Sequence, residues 1–210
     1  MKEVRINEKL LKRNLKNKRK ITLSLVITFL ISGMFEFEEI EARDLRSRKK
    51  ESNNIIPDYG GPNLNTSANK TDVVNIVDPN SSGISHNKFV DLSVGSGNGL
   101  IFNNSMEHGT SQIGGYVTKN TNLTKNAKVI LNEVRGNNVS NINGDIEVFG
   151  VRADFILANE NGITLNGATF INTSGVTLST GKVSNTGSNI NFDVQKGNIE
   201  LNGVGTSGDY

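Results

Sequence analysis

Asparagine and glycine are the residues that most constrain what residues 51–210 can fold into. This part of the chain contains 28 Asn and 21 Gly among its 160 residues. Both residue types tolerate positive φ and disfavour helix interiors. Since no stretch of ten residues shows a clean 3.6-residue hydrophobic period, the sequence favours many short strands joined by turns over a helical fold.

Short alternating segments supply these strands. In each segment two aliphatic residues flank one polar residue, and alternation places the aliphatic pair on one face of a strand. We therefore expect eight aliphatic residues to point into a core: Ile146, Val148, Ile163, Leu165, Val176, Leu178, Ile199 and Leu201. The polar residues Glu147, Thr164 and Glu200 are expected to face solvent.

The segments also repeat along the chain. Residues 144–150 (GDIEVFG) match residues 197–203 (GNIELNG), and residues 162–167 and 175–181 are shorter relatives. Irregular repetition at about 20 residues is typical of a solenoid. Strand–turn units of this size predict an all-β fold, a right-handed parallel β-helix of the pectin-lyase-like kind. An antiparallel sandwich is the alternative, because the five Asn-Gly pairs are typical of hairpins.

Charge divides the chain into a basic leader and an acidic body. Residues 1–50 carry 14 Lys+Arg and 7 Asp+Glu, whereas residues 51–210 carry 9 and 14. An acidic body argues against nucleic acid as a partner. Nine of the leader's basic residues precede 15 uncharged, mostly apolar residues at 21–35, which is the layout of a secretory signal. We predict an extended signal peptide over 1–42, cleaved near Ala42, with an uncleaved membrane anchor as the alternative.

The boundaries of the folded domain follow from the same change in pattern. Residues 43–70 are polar, lack periodicity and contain Asn and Gly clusters, so we predict a polar linker there. The folded domain is predicted over 71–210. Its last residues, 205–210, carry no visible cap, and an uncapped solenoid end exposes a strand edge. The sequence therefore predicts a domain that is truncated at its C-terminal end.

Residue types that catalyse reactions or bind metals are scarce. The chain has no Cys, and its two histidines are His86 and His108, so a thiolate or multi-histidine metal centre is not expected. The carboxylates of the body are scattered one per strand or turn, whereas a β-helix polysaccharide lyase or hydrolase needs them clustered. We expect no enzyme activity, no metal and no cofactor, and we interpret His86 as a turn residue. A self-standing surface adhesin and, less favoured, such a lyase or hydrolase are the alternatives.

Three stretches of the body carry a resemblance to a known family. They are SHNKF and GLIFNNS at 85–89 and 99–105, AKVILNEVRG at 127–136, and GVRADFILANENGITLNGATFINTSGVTLSTG at 150–181. Together they resemble the N-terminal secretion domain of filamentous-haemagglutinin-type exoproteins, which are the passengers of two-partner secretion. The resemblance covers most of the body.

The family's two Asn-Pro motifs, N-P-N-L and N-P-N-G-I, are present without their prolines. The first corresponds to residues 120–123 (NTNL) and the second to residues 159–163 (NENGI). Thr121 and Glu160 replace the prolines, which should loosen both turns because proline fixes φ. The asparagines are still able to close Asx-turns, and Asn161 and the glycine after it can both adopt positive φ with little strain.

The resemblance implies a role in transport. Domains of this family start export through an outer-membrane β-barrel transporter with periplasmic domains, then nucleate the β-helix of a long passenger, commonly an adhesin, haemolysin or contact-dependent toxin. It implies a transporter-recognition site made of the two motifs: Asn120, Asn122, Leu123, Asn159, Asn161, Gly162 and Ile163. It further implies a secreted or cell-surface protein of a Gram-negative-type bacterium, which meets the membrane only transiently during export. The host cell surface would be a partner of the missing passenger.

Overall fold

The computed structural model describes residues 51–185 and 187–203, and the regular structure in these ranges is all β-strand. The predicted signal peptide over 1–42 and the first residues of the predicted linker lie outside the described residues. None of the described residues forms a helix long and apolar enough to cross a membrane. The strands within the described ranges are β1 (Asn54–Pro57), β2 (Asn63–Thr66), β3 (Asp72–Asn75), β4 (Ile84–Ser93), β5 (Gly99–Asn104), β6 (Gly109–Ser111), β7 (Gly115–Val117), β8 (Val129–Val134), β9 (Ser140–Ile142), β10 (Asp145–Gly150), β11 (Ala153–Asn159), β12 (Ile163–Asn166), β13 (Phe170–Ile171), β14 (Thr173–Ser179), β15 (Gly181–Asn185), β16 (Ile190–Val194) and β17 (Ile199–Asn202).

Parallel strands stack into three sheets, as a β-helix requires. We call them sheet A (β1-β4-β8-β11-β14), sheet B (β13-β10-β5-β3-β2) and sheet C (β17-β12-β9). The chain visits sheets B, A and C in turn, and each circuit is one coil. Coil 1 contains β3 and β4, coil 2 contains β5, β8 and β9, coil 3 contains β10, β11 and β12, and coil 4 contains β13, β14 and β17. Because equivalent strands of successive coils pair in parallel, the antiparallel sandwich is wrong and the parallel β-helix is confirmed.

In-register stacking places apolar side chains in columns inside the coils. In sheet B, Leu100, Ile146 and Phe170 occupy the same position in three successive coils. Across the interior, Phe102 of sheet B meets Phe155 of sheet A edge-on, with 5.1 Å between ring centroids. Each coil therefore buries its inner face against the coils on either side, which stabilises the fold by about 25 cal/mol per Å² of apolar surface removed from water.

The eight expected core residues differ in burial, and all of the exposed ones lie in coil 4. Three are fully buried and two are partly buried: Ile146, Val148, Ile163, Leu165 and Leu178. Val176, Ile199 and Leu201 are 40%, 42% and 70% exposed, so the prediction of burial is wrong for them. These three belong to coil 4, and among the described strands none forms a further coil over it. The alternation of aliphatic and polar residues indicates which face of the strand these side chains occupy. Their burial also requires a neighbouring coil, which alternation does not show.

Two strands occupy a segment that the sequence predicts to be linker. β1 pairs antiparallel with β4, and β2 pairs antiparallel with β3. They extend sheets A and B beyond coil 1, where the edge strands would otherwise leave N–H and C=O groups unpaired. The amide of Asn53 fastens this segment to the coils by donating to Asp72 Oδ2 at 2.7 Å and to the Gly99 carbonyl at 3.1 Å. The structure thus differs from the predicted linker over residues 51–70.

The two sequence-equivalent glutamates do not form a common solvated face. Glu147 lies on β10 of sheet B and Glu200 lies on β17 of sheet C, so they are not stacked. Glu200 is exposed, but Glu147 is only 3% exposed because the hairpin formed by β6 and β7 covers it. The expectation that Glu147 faces solvent is therefore wrong.

Replacing an inward-facing and an outward-facing residue of the same strand tests the assigned strand faces. Leu157 on β11 is fully buried, whereas Asp154 on the same strand is exposed. We expect Leu157→Ala to lower the free energy of unfolding by about 2–5 kcal/mol, because it removes apolar contacts and leaves a cavity. Asp154→Ala should change it by less than about 0.5 kcal/mol. Urea denaturation of the purified protein measures both, and equal losses would contradict the assigned faces.

Candidate functional site

The first asparagine motif forms a turn that is tied to two coils. The Asn120 carbonyl accepts from the Leu123 amide at 3.4 Å, and Asn120 Oδ1 accepts from the Asn122 amide at 3.0 Å. Asn120 Nδ2 donates to the carbonyls of Ile76, at 2.8 Å, and Asn103, at 3.0 Å. The motif is therefore a β-turn reinforced by an Asx-turn, and its first side chain joins residues of coils 1 and 2.

The second motif repeats this arrangement one coil further along. The Asn159 carbonyl accepts from the Gly162 amide at 3.1 Å, and Asn159 Oδ1 accepts from the Asn161 amide at 2.9 Å. Asn159 Nδ2 donates to the Asn138 carbonyl and to Ser140 Oγ, both at 2.9 Å. The first side chain of this motif joins coil 3 to coil 2, so the two motifs have the same internal geometry and the same structural role.

The motif residues are mostly inaccessible in the folded domain. Asn120 and Asn159 are 2% and 1% exposed. Leu123 and Ile163 are part of the hydrophobic core. The second asparagines of both motifs are half-buried, and Asn161 Nδ2 donates to the Gly136 carbonyl at 2.7 Å. The motif side chains thus build the coils and offer little surface to a partner.

The two motifs lie at different corners of the β-helix. Motif 120–123 lies in coil 2 between sheets B and A, after the β6–β7 hairpin, whereas motif 159–163 joins sheet A to sheet C in coil 3. Among the described hydrogen bonds, none links one motif to the other. The structure therefore places the two motifs in two separate turns of successive coils.

At the second motif, only the glycine adopts the positive φ that both Asn161 and Gly162 tolerate. Gly162 has φ +121°, but Asn161 is absent from the described non-glycine residues with positive φ, which are Lys70 and Asn172. Asn161 occupies the third position of the turn, where negative φ is compatible with a type I turn. A Cβ at Gly162 would lie 3.0 Å from the Asn198 carbonyl oxygen, so both the φ and the space require glycine there.

Thr121 and Glu160 occupy the second position of each turn. Proline is favoured at this position because its fixed φ matches the turn, which is consistent with the family's N-P-N pattern. Thr121 is exposed and Glu160 is half-buried. The turn hydrogen bonds form without proline, since the first asparagine supplies both the carbonyl and the side-chain acceptor.

An aspartate outside the motifs also fastens the first one. Asp78 accepts from the Thr124 amide at 2.7 Å through Oδ1 and from the Thr124 hydroxyl at 2.8 Å through Oδ2. The amide hydrogen bond is the largest cause that lowers the pKa of the Asp78 carboxyl below its ordinary value. Asp78 belongs to the connection between β3 and β4, so coil 1 contacts the chain on both sides of the turn.

The sequence did not single out two fully buried asparagines beside the first motif. Asn103 Nδ2 donates to Asn75 Oδ1 at 2.8 Å and to the Thr118 carbonyl at 2.9 Å. Asn104 Oδ1 accepts from the Ala127 amide at 2.7 Å. Their signal in the sequence is an Asn-Asn pair directly after the apolar run LIF, where the chain leaves a core strand.

Both histidines contact other side chains, and neither contact indicates a catalytic group. His86 lies in β4, not in a turn as interpreted from the sequence, and its Nε2 is 2.8 Å from Glu133 Oε2. His108 stacks on Tyr116 with ring centroids 6.1 Å apart. Within residues 51–185 and 187–203, no three His, Asp or Glu side chains are grouped so that they could hold a metal ion.

Comparison with known proteins identifies the family of the domain. The TPS secretion domain family matches residues 52–209. The chain is 49% identical over 142 residues to filamentous hemagglutinin of Bordetella pertussis. It is 47% identical over 132 residues to a hemolysin of Proteus mirabilis and 46% identical over 158 residues to a 16S rRNA endonuclease CdiA of Enterobacter cloacae. These alignments cover 67%, 61% and 73% of this chain, but only 4%, 8% and 5% of those proteins.

A solved structure shares the fold. The crystal structure of the filamentous hemagglutinin secretion domain matches with a TM-score of 0.66 and 45% sequence identity. The match covers 70% of this chain and 49% of that one. The chain therefore spans about half of the solved domain structure and less than a tenth of the three curated relatives.

Removing the buried asparagine of the second motif should destabilise the domain. Asn159→Ala leaves the Asn161 amide and the Asn138 carbonyl without their partner, and we expect a loss of about 1–3 kcal/mol in the free energy of unfolding. The control is Asn191→Ala, because Asn191 is exposed on β16 and its replacement should cost less than about 0.5 kcal/mol. Chemical denaturation distinguishes the two, and an undisturbed Asn159→Ala protein would contradict the structural role of the motif.

Acid should weaken the contact between Asp78 and Thr124. Because the folded-state pKa of Asp78 is lowered, its contribution to stability is present above the ordinary aspartate pKa of about 3.9 and is lost as the pH falls through the lowered value. In an NMR titration, the Thr124 amide shift should therefore change with a midpoint below about 3.9. Asp78→Asn should abolish that titration, and its persistence in the variant would assign it to another group.

Proposed function

Because the chain belongs to the family of TPS secretion domains, we propose that it is the part of a two-partner-secretion exoprotein recognised by an outer-membrane β-barrel transporter with periplasmic domains. The match to the family over residues 52–209 carries this proposal. The relatives support it, since proteins with names as different as filamentous hemagglutinin, hemolysin and CdiA share this segment. A segment shared by such different proteins fits a task that they have in common, such as export.

The burial of the motifs favours recognition before folding. A transporter cannot contact Asn120 or Asn159 after the coils close, because these side chains are 2% and 1% exposed. In an unfolded chain the same side chains are free, and extended segments bind readily to strand edges of a partner. We propose that the transporter binds both motifs, Asn120, Asn122 and Leu123 with Asn159, Asn161, Gly162 and Ile163, as extended chain. Closure of coils 2 and 3 would then withdraw them and release the domain.

The side of coil 4 that faces away from coil 3 supports a second part of the proposed function, which is to nucleate folding of the passenger. Ile199 and Leu201 are exposed although they pair in register with Ile163 and Leu165 of coil 3. Among the described strands, none pairs with the far edge of β13, β14 or β17. Exposed strand edges beside apolar side chains are a template for another strand. We propose that the passenger adds its first coil here.

The passenger determines the activity of the whole exoprotein. The chain spans only 4–8% of the three curated relatives named above, so their activities belong to parts outside this match. We propose an adhesin, haemolysin or contact-dependent toxin as passenger, with the host cell surface as its partner in the adhesin case. The location would be extracellular or on the surface of a Gram-negative-type bacterium, after export with an N-terminal signal over 1–42 and transient passage through the membrane. The family itself is one of secretion domains, not of enzymes.

Secretion with and without the barrel partner tests the recognition. We expect the wild-type chain outside the cell only when the partner is present. The double variant Asn159→Ala/Asn161→Ala should lower the secreted amount sharply while synthesis in the cytoplasm is unchanged, because it removes motif side chains at 159 and 161. Glu160→Pro should leave secretion intact or increase it, since proline suits the second turn position.

A stability-matched variant separates recognition from folding. Leu157→Ala lies in β11 next to the second motif, and its expected loss of stability of about 2–5 kcal/mol equals or exceeds that of an asparagine substitution. If the transporter binds the unfolded motif, Leu157→Ala should be secreted better than the double asparagine variant. Normal secretion of the double variant with the partner present would refute recognition through these residues, and secretion without the partner would refute the two-partner mechanism.

A further inference from the structure

The β6–β7 hairpin lies outside the coils and spans three of them. It is an antiparallel excursion of coil 2 that begins after Ser105 and ends at Asn120, whose amide donates to the Ser105 carbonyl at 2.8 Å. On the outer face of sheet B it encloses a small apolar cluster, separate from the main core, of one residue each from coils 1, 2 and 3 and two from the hairpin region: Val73, Ile101, Phe149, Val117 and Ile113.

Coil 3 holds the tip of the hairpin through one carboxylate. Glu147 accepts from Ser111 Oγ at 2.6 Å, from the Gln112 amide at 3.0 Å and from the Ile113 amide at 3.1 Å. Glu147 is 3% exposed, and a buried carboxylate is tolerated only when hydrogen bonds replace its hydration. Without Glu147, the Gln112 amide loses its acceptor and the Ile113 amide keeps only Ser111 Oγ, at 3.2 Å. The buried carboxylate therefore depends on the donors of the hairpin tip, and the tip depends on the carboxylate for an acceptor.

The other side of the hairpin is attached to the turn that precedes coil 1. The amides of Ala68 and Asn69 donate to the carbonyls of Tyr116, at 2.9 Å, and Gly114, at 3.1 Å. Gly114 is buried there, and a Cβ on it would collide with the side chain of Ile101 and lie 2.8 Å from Ser67 Oγ. The hairpin thus connects the turn between β2 and β3 with β10 of coil 3, across the intervening coils.

We propose that the β6–β7 hairpin is a strap that closes across coils 1 to 3 only after β10 is in place, with Glu147 as the positioning residue that keeps it closed. Half of the surface on which the strap packs, which we call its seat, is supplied by Phe149 and Glu147. Both residues come after the strap in the sequence. A chain that folds from its N-terminal side therefore has the strap before it has the seat. This goes beyond transporter recognition, because it concerns the order of folding of the domain itself.

Hydrogen exchange on the full chain tests whether the strap moves as one unit. In Glu147→Gln, one acceptor oxygen and the charge are lost, and hydrogen bonds to a charged group contribute more than neutral ones. We expect the amides of Gln112 and Ile113 to exchange at least about tenfold faster. Those of Ala68 and Asn69, which do not contact Glu147, should accelerate by a similar factor, while the amides of β8 and β11 should not. Acceleration confined to Gln112 and Ile113, or none at all, overturns the strap.

Two further variants guard the interpretation. Glu200→Gln is the matched control, because Glu200 occupies the equivalent place in the repeat GNIELNG but is exposed on β17, and it should leave all strap amides unchanged. Gly114→Ala displaces the strap from its other side without altering Glu147, and it should accelerate the same amides. If Glu147→Gln does not fold, Gly114→Ala alone decides: exchange of Ala68 and Asn69 unchanged in that variant overturns the proposal.

The order of closure is measured by pulse-labelled refolding of the full wild-type chain. The amides of Ala68 and Asn69 bond to the strap, so their protection reports closure. We expect them to become protected together with or after the amides of Val148 and Phe149 in β10. Protection of Ala68 and Asn69 before β10 would show that the strap closes without its seat, and would overturn the proposal.

Discussion

Buried asparagine side chains at the corners of the coils are the interaction on which this fold depends. Strands of a parallel β-helix satisfy their own backbone groups, but corners do not, and a buried backbone group without a partner is costly. An Asn side chain supplies two donors and an acceptor, and Asn104 uses all of them: Nδ2 donates to the carbonyls of Ala127 and Val151, and Oδ1 accepts from the Ala127 amide. Asn120 does the same at this corner of coil 2, and Asn159 does so at a corner of coil 3. The richness of the body in Asn is therefore a requirement of its corners.

Local pattern predicted the strands and the solenoid, because alternation and repetition are local properties. Predictions from local pattern were wrong where strand pairing or burial depends on a segment that is distant in the sequence. The Asn-Gly pairs were a signal for hairpins, yet Asn98-Gly99 and Asn161-Gly162 precede strands that pair in parallel with other coils. β1 and β2 were missed because neither NIIP nor NLNT contains two aliphatic residues flanking a polar one, and their pairing with β4 and β3 is what makes them strands. Glu147 was misplaced because nothing local shows that a hairpin covers it.

The turns of the two asparagine motifs were predictable from the sequence, but the burial of their side chains was not. The motif residues at 120–123 and 159–163 form the turns that the sequence predicts. Burial of Asn120 and Asn159 comes from coils packed on either side, as with Ile76 and Asn103 around Asn120, and sequence distance hides those neighbours. This burial changes the mechanism that the motifs support. In the proposed mechanism, the transporter would have to meet these side chains before the corners close, and folding and recognition would compete for the same amide groups.

If the transporter binds the unfolded motifs as proposed, that competition and the two ends of the coil stack would give transport a direction. On the coil 1 side, β1 and β2 pair antiparallel with the edge strands, and this stops further parallel stacking. On the coil 4 side the apolar residues Val176, Ile199 and Leu201 are exposed, so added chain gains burial there. Coils that form from the covered side toward the exposed side withdraw the motif of coil 2 before that of coil 3. Under the proposed recognition, each closed coil would expose an edge for the next one and remove a segment that the transporter binds, so folding outside the membrane would oppose backward movement of the chain.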